Sequence, residues 1–229
     1  MKATFSPITQ WIFDLDNTLY PSHCNLFVQM DKRITQYVMR VTGKEFDAAY
    51  REQKIYYRDH GTTLRGLMNV HGIDPHDYLN DVHDIDYSSI PPNPQLGDLL
   101  EKLPGRKLIF TNGDVAHAKR TLAALQIEEA FDEIFDIAHA DFVPKPERAP
   151  YDMFLQRHKV DPKRAVMFED MARNLEVPKE MGMATVLLVP QENEKSPRQD
   201  WEHHGRDGQH IDFVSDDINA FITRIVDVL

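Results

Sequence analysis

Short, unbroken apolar runs, each stopped by polar residues, punctuate the chain. Trp11-Ile12-Phe13 ends in Asp14-Leu15-Asp16-Asn17-Thr18, and Lys107-Leu108-Ile109-Phe110 ends in Thr111-Asn112-Gly113. Ala165-Val166-Met167-Phe168 ends in Glu169-Asp170, and Thr185-Val186-Leu187-Leu188-Val189 is closed by Pro190. Ile134-Phe135-Asp136-Ile137 is a weaker fifth run. Runs this short and continuous predict strands buried on both faces, as a parallel sheet requires. Between them the apolar spacing lengthens to the helical period. Val115, Ala118, Leu122 and Leu125 share one face, and Met153, Phe154 and Arg157 lie on another amphipathic run. The alternation predicts an α/β fold: an open, doubly wound, Rossmann-like core with a mostly parallel sheet.

One interval breaks the alternation. More than ninety residues separate the first two strands, far beyond an ordinary βα connection. The stretch carries helical runs from Leu26 to Val41 and from Phe46 to Tyr57. A Gly61-Thr62-Thr63 turn leads into Leu64-Arg65-Gly66-Leu67-Met68, and the stretch closes on a stiff connector, Ile90-Pro91-Pro92-Asn93-Pro94. The expectation is a small helical domain, residues 21–90, inserted into a core of residues 1–20 and 91–229. Residues 191–211, rich in Gln, Glu, Asp, Arg, His and Gly, are expected to form a surface loop. Ile218, Phe221, Ile222, Ile225 and Val226 predict a closing amphipathic helix. No internal repeat at solenoid periods is visible.

The 229 residues suffice for one core, or one core with a smaller inserted module. No apolar stretch is long enough to span a bilayer, and the first residues lack the apolar centre of a secretory signal. Cys24 is the sole cysteine, so no internal disulfide can form and a cytoplasmic setting is expected. A net charge of −11 argues against a nucleic-acid polymer as partner. It leaves open a small phosphorylated ligand, which needs only local positive charge. The sequence does not indicate an oligomeric state.

Polar clusters at the carboxyl ends of predicted strands lie where open α/β sheets bind ligands. Asp14 and Asp16 can serve one site as the chain turns out of its strand. One carboxylate can attack phosphorus, and a second can protonate the leaving oxygen and later deprotonate water. Thr111, Asn112 and Gly113, just before a helix, offer a hydroxyl, an amide and backbone N–H groups to phosphate oxygens. Lys145, stiffened by Pro144 and Pro146, can offset charge on a transferring phosphoryl group. Glu169 and Asp170, followed by Asn174, can complete an oxygen-ligand set for magnesium with Asp14. Each cluster taken alone also reads as a turn, a helix cap or an exposed loop residue. Together, and in this order, they supply every part that phosphoryl transfer needs. His203, His204 and His210 lie in a polar stretch without metal-site spacing, and Cys24 has no histidine constellation in the sequence around it.

Phe13-Asp14-Leu15-Asp16-Asn17-Thr18-Leu19, Thr111-Asn112-Gly113, Lys145-Pro146 and Phe168-Glu169-Asp170 resemble, in sequence order, the four motifs of the haloacid dehalogenase superfamily. The resemblance spans about residues 10–190. It implies Asp14 as nucleophile and Asp16 as general acid/base, with Thr111, Asn112 and Lys145 on the phosphate. It places Mg2+ on Asp14, the backbone carbonyl of Asp16 and Asp170, with Glu169 close by, and Thr18, Gly113 and Asn174 in support. The dehalogenase branch lacks a carboxylate at the position of Asp16, so that residue favours a phosphatase. The inserted helices resemble the mobile cap of these enzymes. Within them, Tyr56-Tyr57-Arg58-Asp59-His60-Gly61-Thr62-Thr63-Leu64-Arg65-Gly66-Leu67 is similar to the cap signature of the pyrimidine 5′-nucleotidase-like branch. That likeness implies a nucleoside monophosphate substrate, UMP or CMP first, with Arg65, Tyr57 and His60 as candidate contacts.

Two other outcomes share parts of this pattern. A phosphatase, phosphotransferase or mutase acting on a sugar phosphate, phosphoglycolate or another small metabolite would carry the same core motifs. A non-enzymatic receiver-like module also gathers Asp, Thr and Lys at a sheet edge. The long insertion and the Asp-x-Asp-x-Thr spacing count against the receiver.

Overall fold

A computed structural model describes residues 1–191 and 205–229. Most of the expected 191–211 loop, His203 and His204 included, lies outside the described residues. Six parallel strands form one sheet in the order β3-β2-β1-β4-β5-β6. They are β1 (Gln10–Phe13), β2 (Arg106–Phe110), β3 (Glu133–Phe135), β4 (Ala165–Glu169), β5 (Ala184–Leu188) and β6 (Phe213–Ser215). This is the doubly wound, Rossmann-like α/β order, whose direction reverses at β1.

Strand residues alternate between two hydrophobic layers. Trp11, Phe13, Ile109, Val166, Phe168 and Val186 face one layer, closed by α6 (Pro94–Glu101), α7 (Val115–Leu125) and α10 (Ile218–Val226). Ile12, Leu108, Phe110, Met167 and Leu187 face the other, closed by α8 (Arg148–His158) and α9 (Glu176–Met181). Burial on both faces is why these strands read as unbroken apolar runs. A short α1 (Lys2–Phe5) packs Phe5 against Trp11, with ring centroids 6.1 Å apart.

Between β1 and β2 lie α2 (Leu26–Thr42), α3 (Phe46–His60), α4 (Thr63–His71) and α5 (Pro75–Val82). They enclose an apolar cluster of their own, including Tyr37, Val38, Ala49, Tyr56, Leu67 and Leu79. Ile137 and Phe142, from the loop after β3, join that cluster. The signature at the α3–α4 corner builds this hairpin. Gly61 takes φ +81°, and a Cβ there would lie 3.0 Å from Pro144 Cγ, so the corner sits against the loop that carries Lys145. Thr62 caps α4 by accepting the Arg65 N–H at 3.1 Å. A Cβ on Gly66 would lie 2.4 Å from Tyr56 Cβ, so only glycine lets α3 and α4 approach this closely.

Three local expectations change. β3 stops at Phe135 rather than running to Ile137, because the Asp136 carboxylate accepts the N–H groups of Val115 (3.0 Å) and His139 (2.9 Å) and turns the chain. The Pro-rich connector ends inside a helix: Pro94 is the first residue of α6, and Asn93 caps it. β6 was not expected. It is a three-residue edge strand with Val214 exposed, too short to show a period. No helix among the described residues is long and apolar enough to cross a membrane.

Candidate active site

The β1 ladder carries one residue past the strand: the Asp14 N–H donates to Phe168 O at 2.9 Å. Asp14 thereby leaves the sheet between the ends of β2 and β4, at the point where strand order reverses. Its Oδ1 accepts from Lys145 Nζ at 2.8 Å, and its Oδ2 accepts from Thr18 Oγ1 at 3.1 Å. Lys145, 1% exposed, uses all three ammonium protons, on Asp14, on Phe110 O (2.8 Å) and on Glu169 Oε1 (2.9 Å). Burial would lower its pKa, but the charges of Asp14 and Glu169 outweigh that and hold the ammonium form.

The remaining motif residues hold this pair in place. Glu169 Oε1 also accepts from Asn174 Nδ2 at 2.7 Å, and Oε2 accepts the Met171 N–H at 2.7 Å. Asn112 clamps the Lys145 peptide from both sides, accepting its N–H at 2.9 Å and donating to its carbonyl at 3.3 Å. The Thr111 hydroxyl accepts the Gly113 N–H at 2.9 Å, folding the turn that precedes α7. The amide of Asn112 therefore serves the lysine loop. Asn112 lines the cleft together with Thr111 and Gly113.

Asp14, Glu169 and Asp170 are buried together, each offering an oxygen within 4.8 Å of the others. Three carboxylates face one ammonium. Burial raises Asp14 above the usual carboxylate range, the charges of Glu169 and Asp16 raise it further, and Lys145 offsets them only in part. Hard oxygen donors with a surplus of negative charge suit a divalent cation such as Mg2+. Asp14 is a better placed ligand than Glu169, whose carboxylate already accepts three hydrogen bonds from the protein against two on Asp14, and Asp170 lies beside it.

Asp16 has a different environment. Its Oδ1 accepts from Tyr20 Oη at 2.5 Å and pairs with His117 Nε2 at 2.8 Å. Burial would raise its pKa, but the charge and hydrogen bond of His117 and the Tyr20 hydroxyl prevail and hold it at about 2. Two carboxylates two residues apart thus have opposite shifts, the usual mark of divided chemical labour. Tyr20 and His117 were not found in the sequence. A signal existed for each: Tyr20 lies one helical turn beyond Asp16, and His117 falls in the first turn of the helix that follows Thr111-Asn112-Gly113.

A cleft of about 180 Å³ opens over these groups. Its floor includes Asp14, Asp16, Lys145 and Asp170, and its opposite wall comes from α2, α3, the start of α4, and α5. Of the three expected contacts from the helices, Tyr57 lines the cleft, its hydroxyl 3.5 Å from Met171 Sδ and its ring under the Arg173 guanidinium. Arg65 and His60 are not among the lining residues. Arg65 sits one step round α4 from the lining Leu64, and His60 meets Asn69 of α4 at 3.3 Å. The wall instead presents Phe27, Met30, Ile34 and an Asp31–Lys54 ion pair of 2.6 Å.

The profile of the haloacid dehalogenase-like hydrolases matches residues 11–182. The chain belongs to this family. This haloacid dehalogenase-like hydrolase is also 28% identical over 196 residues to phosphate metabolism protein 8 of Saccharomyces cerevisiae, an alignment covering 77% of the chain and 60% of the yeast protein. The chain therefore spans about three-fifths of that curated relative. Among solved structures it is similar to a HAD phosphatase from Thermococcus onnurineus (TM-score 0.61, 16% identity, 96% of this chain and 98% of that one). It is similar to CbbY from Rhodobacter sphaeroides in complex with phosphate (0.59, 18%, 92% and 94%). It also resembles an L-2-haloacid dehalogenase from Xanthobacter autotrophicus (0.57, 16%, 95% and 98%). These likenesses show the hydrolase's fold. The reaction has to be read from its site.

Proposed function

We propose that this hydrolase is a Mg2+-dependent phosphatase that works through an aspartyl phosphate on Asp14, and that its substrates are nucleoside 5′-monophosphates, pyrimidine nucleotides first. The observation that carries the phosphatase reading is Asp16, a second carboxylate fixed beside Asp14 in the same cleft. An ester of a poor leaving group needs a proton at its departing oxygen, and Asp16 is the group placed to give it.

The Asp14 carboxylate attacks phosphorus, the bond from phosphorus to the ester oxygen breaks, and that oxygen takes a proton from Asp16. Asp16 then removes a proton from water, which attacks the aspartyl phosphate. The bond between Asp14 and phosphorus breaks and free phosphate leaves. Asp16 is ionised in the resting site, and a phosphate dianion arriving beside it raises its pKa and supplies the acid form. Lys145, whose protons are held by Asp14, Phe110 O and Glu169, offsets the charge of the phosphoryl group, and the Thr111 hydroxyl and the Asn112 N–H are the donors for its oxygens. Asp14, Asp170 and the carbonyl of Asp16 would hold Mg2+, which would supply the positive charge that the carboxylate cluster lacks. Residues 21–90 act as a cap that excludes water from the cleft.

The nucleotide assignment draws on the signature in α3 and α4 and on the cleft wall, where Phe27 and Tyr57 offer faces to a base and the Asp31–Lys54 pair offers polar contacts. The name of the yeast relative, a phosphate metabolism protein, accords with the phosphatase reading alone. The test is phosphate release, with Mg2+, from nucleoside monophosphates, sugar phosphates and phosphoglycolate, beside Asp14→Asn. Release from UMP or CMP that is lost in the variant supports both parts. Release from another class keeps the mechanism and overturns the nucleotide assignment. Transfer to a second substrate without phosphate release would make the protein a phosphotransferase or mutase.

A further inference from the structure

His117 is fully buried and joins the sheet edge to the stem by which the inserted helices return to the core. Its Nε2 meets Asp16 Oδ1 at 2.8 Å, and its Nδ1 meets the Tyr87 hydroxyl at 2.8 Å. Its ring lies flat against that of His83, with centroids 4.3 Å apart and 13° between the planes. His83 closes α5, and its Nδ1 lies 3.3 Å from the carboxylate of Asp114, the cap of α7. The Arg120 guanidinium of α7 covers the Tyr87 ring at 5.1 Å. An imidazole bonded at both nitrogens and stacked on one face cannot rotate. It fixes Asp16 Oδ1, which the Tyr20 hydroxyl holds as well, and leaves Oδ2 for the substrate.

We propose that His117 is the positioning residue of Asp16 and that the stem, through His83 and Tyr87, holds His117 in place. Acid help at the leaving oxygen then depends on the inserted helices being docked. This rests on the phosphatase reading above, and it makes a demand that general support of the fold does not. In kcat/KM, which reports the steps up to departure of the leaving group, loss of His117 slows only esters whose leaving group needs a proton. UMP releases an alkoxide and needs one; p-nitrophenyl phosphate releases a stable phenolate and does not.

The experiment compares kcat/KM, with Mg2+, for p-nitrophenyl phosphate and for UMP, or for the alkyl phosphate that ranks first in the panel above. His117→Ala lowers the alkyl value about 100-fold and the aryl value by no more than about 3-fold. His117→Gln, whose amide nitrogen can reach the place of Nε2, recovers most of the loss. Tyr87→Phe, a milder change, lowers the alkyl value about 5-fold and leaves the aryl value unchanged. If His117→Ala fails to fold, the Gln and Phe variants still decide. Equal losses on the two substrates, or no loss on either, would overturn the proposal while leaving the phosphatase standing. Wild-type protein inert on both esters would instead remove the phosphatase reading, and this proposal with it.

Discussion

The two sides of the cleft are built on different principles. On the sheet side, each chemical group is tied to backbone or to another motif residue: Lys145 to Phe110 O, Glu169 to the Met171 N–H, Asn112 to both ends of the Lys145 peptide. On the helical side, the wall is assembled from side chains of α2, α3, α4 and α5. There the Asp31 carboxylate takes both Gln53 Nε2 (2.5 Å) and Lys54 Nζ (2.6 Å), all three within the inserted helices. The first side suits chemistry, which needs atoms fixed in advance. The second suits recognition, because its faces can change without disturbing the reacting atoms.

The largest effects should come from the sheet side. Asp14→Asn lowers turnover at least about 1,000-fold, yet it removes one of three buried carboxylates facing one ammonium. The metal-free variant should therefore melt at a higher temperature than metal-free wild type at pH 8, the exchange of stability for function expected of a reactive centre. A lower melting temperature would mean that Asp14 is a structural partner of Lys145 before it is a reactive group. Lys145→Met should be worse for the fold. It strands Asp14 and Glu169 as unpaired buried charges, at a cost of about 3–5 kcal/mol, read as a lower urea midpoint. A variant of unchanged stability would show that the sheet edge is not the rigid side.

The helical wall should respond more weakly and in a different parameter. Lys54→Ala raises KM for UMP about 10-fold with kcat nearly unchanged, the sign of lost uniform binding. Inhibition by inorganic phosphate, if it rests on the sheet side as proposed, should not change. A fall in kcat alone would erase the division between the two sides.

That division also sets what the sequence reveals. Asp14, Thr111 and Glu169 each follow or end a strand, so a local pattern finds them, and strand order then brings them together. The opposite wall has no such pattern. Phe27, Asp31 and Ile34 recur at helical spacing like any core face, and only the packing of α2 on α3 shows that they line a cleft. The Gly61-Thr62 signature was legible as a motif but not as a purpose: its glycines and threonine build a corner, and of Tyr57, His60 and Arg65 only Tyr57 reaches the cleft. The His117 chain was missed for a further reason. Asp16 and His117 are 101 residues apart, and their contact depends on where the inserted segment re-enters the core.

That re-entry point also gives the smallest effect, a pH dependence of stability in which the two sides meet. Burial holds the His83 imidazole below its ordinary value near 6.5, and the charge of His117 adds to this, against the opposing pull of Asp114. In the unfolded chain His83 protonates as pH falls through that value, while in the folded chain it stays neutral to lower pH. The unfolded state therefore binds more protons in this window, and stability must rise with pH across it. His83's contribution is complete above about 6.5 and declines on acidification. His83→Phe keeps a flat ring against His117 but removes the titrating group. The urea midpoint of wild type should fall between pH 7.5 and pH 5.5 by more than that of His83→Phe. Equal falls would place the acid sensitivity elsewhere and leave the stem as a passive linker between the two sides.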